Sequence, residues 1–303
     1  MKKGTQKMQN NKFTGILPAI FSVYDENMNV LTATVEKMVN YQLESGATGF
    51  YVGGNTGECT VLPAKTRKQM LEAVVAANRG RGTVIAHIGA GHLDETLDLL
   101  EHANTVGVDA VASLPPSLSS YYSMAETIEY YRLLAEKSKA PVIAYITGVL
   151  AGDPVEFAEK VSKIPGVMGI KLTIPNYYAF GRVVTAGGGK LNILNGPDET
   201  MICGLAEGAD GAIGTTYNFL PRLANGIYSD FMAGNIAGAR EKQQKLNTMI
   251  PIALGKNLAY WKAVMTTMGY DMGYTVAPCI MPTEEEIADL KKKLEAIGFY
   301  EWI

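Results

Sequence analysis

VMGIKLTIPN, residues 167–176, opens with an apolar strand, VMGIKL (167–172), that has a charge in it. Val167, Met168, Ile170 and Leu172 supply the apolar run, and Lys171 sits near its end. An ammonium inside a barrel or sheet costs several kcal/mol unless it is paired or loses its proton. The architecture around this strand, and the use made of the amine, are therefore the two things to establish.

Seven further runs of the same kind flank it. They are GILPAIF (15–21), TGFYV (48–52), GTVIAHI (82–88), DAVAS (109–113), APVIAYI (140–146), LNILN (191–195) and DGAIGT (210–215). Longer amphipathic segments lie between them, such as 32–46 and 63–80, where Met70, Val74 and Ala77 recur at helical spacing. Residues 94–106 and 124–135 behave alike, and Gly or Pro marks many boundaries. Strand–helix alternation implies parallel pairing, because only a crossover returns the chain in the same direction. Eight such units predict an α/β chain folded as a (β/α)8 TIM barrel. An open doubly wound sheet would carry GxGxxG after its first strand, and none follows 15–21. Beyond residue 216 the pattern turns helical at 217–232, 234–250, 254–268 and 283–298. The first of these completes the barrel. The expected division is a catalytic barrel over 13–233 and a C-terminal helical extension over 234–303.

Composition narrows the function class. Among 303 residues, 47% are hydrophobic and 19% charged, enough for a sizeable core. A net charge of −3 carries no polyanion-binding footprint, so no nucleic-acid partner is expected. Cys59, Cys203 and Cys279 are few, odd in number and far apart, which suits a reducing cytosol. Residues 1–13 contain no apolar h-region, and no apolar run reaches membrane-spanning length, so a cytoplasmic chain without a membrane partner is expected. His87, His92 and His102 form no HxxxH or HExxH pair, and neither a GxSxG elbow nor a Walker A loop is present.

Barrel chemistry sits at the C-terminal ends of strands. Strand 2 runs into GGNTGE (53–58), strand 5 ends at Tyr145, strand 6 at Lys171 and Thr173, strand 7 in NGPDE (195–199) and strand 8 in GTTYN (214–218). A desolvated amine holds its proton less tightly, and a neutral amine attacks a ketone to form a Schiff base. The residues alone leave a second reading open, an ammonium snorkelling to solvent at the strand end. Tyr145, on the neighbouring strand, is either a proton shuttle beside an imine or a tyrosine packed at the rim. GGNTGE offers backbone N–H groups as an anion nest for a carboxylate, or is only a tight turn. Glu58 either braces that turn or faces a helix N-terminus. Asp198 and Glu199 either accept hydrogen bonds from a polyol or serve as N-terminal helix acids, and Thr215 and Thr216 add hydroxyls at the same rim.

Taken in order, GGNTGE, YITGVLAG (145–152), GIKLT (169–173) and GADGAIGTTYN (208–218) resemble the pyruvate-dependent class I aldolase family that holds N-acetylneuraminate lyase and dihydrodipicolinate synthase. The likeness runs from Gly15 to beyond Pro282. GADGAIGTTYN and NGPDE are similar to the lyase branch, and residues 146–152 lack the arginine with which the synthase holds its aldehyde substrate. The resemblance implies reversible cleavage of N-acetylneuraminate to pyruvate and N-acetylmannosamine through a covalent Schiff base, with no other cofactor. It implies Lys171 as the Schiff-base lysine and Tyr145 as the base for the C4 hydroxyl. Asn55 and Thr56 would hold the pyruvate carboxylate, and Thr173, Gly196, Asp198, Glu199 and Thr215 the sugar chain. A homotetramer acting on a 2-oxo acid and an amino sugar is implied as well. Asn55 replaces the more usual Ser or Thr, and YITG replaces a YNIP-like stretch. Ser117 and Leu118 stand where a tyrosine near the active site is expected, with Tyr121 and Tyr122 following. These departures leave room for another 2-oxo sugar acid such as 2-keto-3-deoxygluconate, for a synthase, or for a non-catalytic keto-acid binder.

Overall fold

A computed structural model describes residues 13–115, 122–148 and 152–303. The stretches at 116–121 and 149–151 lie outside them, so the expectations for Ser117, Leu118 and Tyr121 and for part of YITGVLAG fall outside the described residues.

The strands are β1 (Gly15–Ile20), β2 (Gly49–Val52), β3 (Thr83–His87), β4 (Ala110–Ser113), β5 (Val142–Thr147), β6 (Val167–Thr173), β7 (Asn192–Asn195) and β8 (Gly211–Gly214). All pair in parallel in sequence order, and β8 returns to β1 at Gly15↔Gly211, closing a barrel. The helices α1 (Thr32–Glu44), α2 (Ala64–Asn78), α3 (Leu93–Val106), α4 (Met124–Lys137), α5 (Pro154–Val161), α6 (Tyr177–Thr185), α7 (Met201–Ala206) and α8 (Pro221–Met232) each follow one strand. Among the described residues three more follow: α9 (Ile236–Ala253), α10 (Leu258–Thr267) and α11 (Glu284–Ala296). This is the expected (β/α)8 barrel with C-terminal helices.

Side chains alternate across each strand, which separates two cores. Leu17, Ala19, Tyr51, Ile85, Ala110, Ala112, Ile143, Leu194 and Ile213 pack together inside the barrel. Their neighbours of opposite parity, among them Ile16, Phe50, Val84, Val111, Ala144 and Ile193, pack outward with the helices.

Element ends follow local chemistry. Ser123 and Thr283 head α4 and α11 with reciprocal capping boxes to Glu126 and Glu286. The helix expected over 254–268 starts later because the Asn257 side chain caps it, accepting from the Tyr260 N–H at 3.1 Å. The one expected over 217–232 starts at Pro221, after a 3-10 turn at Thr216–Asn218. β5 runs on to Thr147, so Tyr145 stands inside the strand rather than at its end.

Candidate active site

Parity carries Lys171 inward. Ile170 and Leu172 belong to the outer core, so Lys171 shares the inner face with Gly169 and Thr173. It is 6% exposed, and two aromatic faces flank the amine. Lys171 Nζ lies 4.2 Å from the Tyr145 ring centroid and 4.5 Å from that of Tyr51. Tyr51 and Tyr145 meet edge to face, 6.3 Å between centroids. This position is the opposite of a lysine snorkelling to solvent. Tyr51 escaped the sequence reading; its parity, two residues before Gly53 on a barrel strand, was the available signal.

Above β6, β7 and β8 opens a cavity of about 640 Å³. Asn55, Thr56, Thr173, Gly196, Asp198, Glu199 and Thr215 all line it. Ile250, Leu254, Leu258 and Trp261, from the C-terminal helices and their junction, supply an apolar wall. Lys171 and Tyr145 are not in the wall; Thr173, two residues beyond Lys171 on the same face of β6, is. The Thr56 and Thr215 hydroxyls are 2.7 Å apart, joining the β2 turn to the end of β8. Gly196 runs so close to the Thr173 side chain that a Cβ there has no room, which explains a glycine at this point of NGPDE.

The acidic pair divides. Asp198 is buried, and its Oδ2 accepts the Thr216 N–H at 2.6 Å. Burial pushes its carboxyl up to about 6, against the opposing pull of the Thr216 bonds. Glu199 is exposed. Both lie in a 3-10 turn, Asp198–Thr200, ahead of α7.

The turn positions themselves are held by buried polar groups, two of which, Asn218 and Arg67, the sequence did not single out. Asn218 donates to the Ala19 and Thr215 carbonyls at 2.7 and 2.8 Å and accepts the Phe21 N–H at 3.2 Å, fixing GTTYN to β1. Arg67, on α2, donates to the carbonyls of His87, Gly89 and Cys59 at 2.9, 3.0 and 3.2 Å. His87 Nε2 lies 3.2 Å from the Leu114 N–H and so accepts from it, leaving Nδ1 to donate to the Gly53 carbonyl at 3.1 Å. That is a neutral imidazole, and burial pushes the His87 pKa well down accordingly. Glu58 does not head a helix: it takes a left-handed φ of 62° and turns its carboxylate into the core.

Among the described residues no group of three or more His, Cys, Asp or Glu side chains could hold a metal ion. Nor is any described helix long and apolar enough to cross a membrane.

Known proteins are similar to this chain in sequence and in fold. An N-acetylneuraminate lyase of Rhizobium meliloti is 31% identical over 94% of this chain and 96% of its own length. The solved N-acetylneuraminate lyase of Proteus mirabilis superposes with a TM-score of 0.89 at 30% identity, covering 95% of this chain and all of that one. A catalytic lysine mutant of the sialic acid aldolase of Ruminococcus gnavus superposes with a TM-score of 0.89 at 28% identity, covering 98% of this chain and all of that one. The model of the dihydrodipicolinate synthetase family matches residues 12–297, and the chain belongs to that family.

Proposed function

We propose that this chain is a class I aldolase that cleaves N-acetylneuraminate reversibly to pyruvate and N-acetylmannosamine. The observation that carries the reading is the buried Lys171 amine, flanked by Tyr51 and Tyr145 inside the barrel. The names of the relatives, lyases and an aldolase with a catalytic lysine, support it.

In this reading Lys171 attacks C2 of the open-chain sugar, and loss of water leaves an iminium. Tyr145 takes the proton of the C4 hydroxyl. The C3–C4 bond breaks, its electrons flow into the iminium to give an enamine, and N-acetylmannosamine leaves as the aldehyde. Protonation of the enamine at C3 and hydrolysis of the imine release pyruvate and free the lysine. The lysine is itself the electron sink, so neither a metal nor an organic cofactor is required. Asn55 and Thr56 receive the carboxylate. Thr173, Gly196, Asp198, Glu199 and Thr215, which line the cavity of about 640 Å³, receive the sugar chain. We assign residues 13–233 to the catalytic barrel and 234–303 to a helical extension, in a cytoplasmic homotetramer.

The test is borohydride reduction in the presence of pyruvate, followed by peptide mass spectrometry. A reduced pyruvyl adduct on Lys171, absent in Lys171→Ala together with a loss of cleavage of at least about 1,000-fold, is the expected outcome. Undiminished cleavage by Lys171→Ala ends the proposal. With the adduct in hand, a panel of 2-oxo sugar acids separates the lyase from sister aldolases.

A further inference from the structure

The turn after β2 is tied to the far end of the chain by a buried ion pair. Glu58 closes this turn in a left-handed conformation, where an L side chain is strained and persists only if its surroundings hold it. Lys262, on α10, donates to Glu58 Oε1 at 3.1 Å. The Tyr24 hydroxyl and the Val276 N–H donate to Oε2 at 2.6 and 3.2 Å. Both side chains of the ion pair are 2% exposed. Lys262 also donates to the Tyr274 carbonyl at 2.5 Å and lies over the Tyr24 ring, 4.7 Å from its centroid. Four segments thus meet on one carboxylate: the exit of β1, the turn after β2, α10, and the segment after α10. The last is itself fixed, because the Tyr274 N–H donates to the Tyr24 carbonyl at 2.9 Å and a Cβ on Gly273 would strike that carbonyl.

Stability does not explain such a pair. A buried ion pair is weak evidence for stability, since burial penalises both charges and well-packed apolar residues often serve as well. Burial lowers the Lys262 pKa, and Glu58 opposes that shift. What the pair does specify is geometry. Glu58 follows Asn55 and Thr56 by three and two residues, and the Glu58 N–H donates to the Asn55 carbonyl at 3.0 Å. Helix α10, which carries Lys262, also supplies Leu258 and Trp261 to the cavity wall. One helix therefore walls the cavity and anchors the turn that faces it.

We infer that Glu58 and Lys262 are positioning residues: their pair holds the Asn55–Thr56 turn at the height where it meets the carboxylate of a 2-oxo acid on Lys171. This rests on the Schiff-base reading above. Neither residue touches substrate; both act through Thr56.

The experiment measures the pyruvate concentration that half-saturates borohydride trapping. Wild-type protein is run first, and a failure to trap at Lys171 there counts against the Schiff-base reading, removing the premise of the inference with it. With wild type trapped, Lys262→Met is expected to raise the half-saturating concentration at least about tenfold while leaving the maximal adduct yield unchanged. In a Thr56→Ala background the same change is expected to add little, because the effect passes through Thr56. Should Lys262→Met fail to fold, the Glu58→Gln/Lys262→Met pair removes the lone buried charge. That double variant is expected to fold and to need at least about threefold more pyruvate than wild type. A half-saturating concentration equal to wild type in the folded variant overturns the inference, as does a fully additive rise on Thr56→Ala.

Discussion

Tyr145 and Lys171 are register partners across β5 and β6, and the amine of one lies 4.2 Å from the ring centroid of the other. Adjacent parallel strands with matching parity aim both side chains into the same space. The ring face stabilises positive charge on nitrogen, in an ammonium or an iminium alike. The hydroxyl, at the far end of the same ring, is a separate functional group. These two contributions can be removed one at a time.

Tyr145→Phe keeps the ring and deletes the hydroxyl. Pyruvate trapping at Lys171 is expected to persist within about threefold, while cleavage of N-acetylneuraminate falls by about 10²–10⁴, the usual size of a general-base contribution. Comparing trapping yield with steady-state cleavage in the same preparation checks this. Parallel loss of both would mean that Tyr145 supports the lysine rather than moving a proton.

Tyr51→Phe is the contrasting substitution. The Tyr51 hydroxyl is buried and has no hydrogen-bond partner among the described residues, and burial raises its pKa well above the usual phenol value. An unsatisfied buried hydroxyl costs about 1–3 kcal/mol, so its removal is expected to leave Tm unchanged or higher. Cleavage is expected to stay within about threefold, because the ring face toward Lys171 remains. A drop of more than tenfold in cleavage would assign the hydroxyl a part in the reaction.

Asp198 gives stability a pH dependence of unusual sign. Its folded-state pKa, about 6, lies above the ordinary 3.8, so the folded chain binds this proton more tightly than the unfolded chain does. The associated stability is complete below about 3.8 and is lost as pH rises through about 6, up to about 3 kcal/mol in order of magnitude. Asp198→Asn keeps an oxygen for the Thr216 N–H and removes the titration. It is expected to raise Tm more at pH 8 than at pH 4.5, read by thermal denaturation at both. An equal shift at the two pH values would contradict the assignment.

Local pattern was enough to locate the eight strands. Short apolar runs bounded by Gly or Pro and alternating with amphipathic helices suit parallel strands buried on both faces, and each observed strand lies inside its expected run or overshoots it by one residue, as β5 and β6 do at Thr147 and Thr173. Lys171 stood out for the same reason, since a charge inside such a run violates the pattern that defines the strand. Closure was not local: it required Gly15 to meet Gly211 across nearly the whole barrel. The direction of Lys171, inward beside two rings, followed from the parity of the closed barrel. Asp198 and Glu199 are adjacent and chemically alike, yet one is buried and the other exposed, because Thr216 and Gly214 from β8 and its turn pack on the first alone. Glu58 and Lys262 lie 204 residues apart, and nothing in either neighbourhood signals the other. Residue pattern determines local conformation because its forces act over a few residues. Which distant polar groups share one buried space depends on how several elements pack at once, and only the tertiary structure decides that.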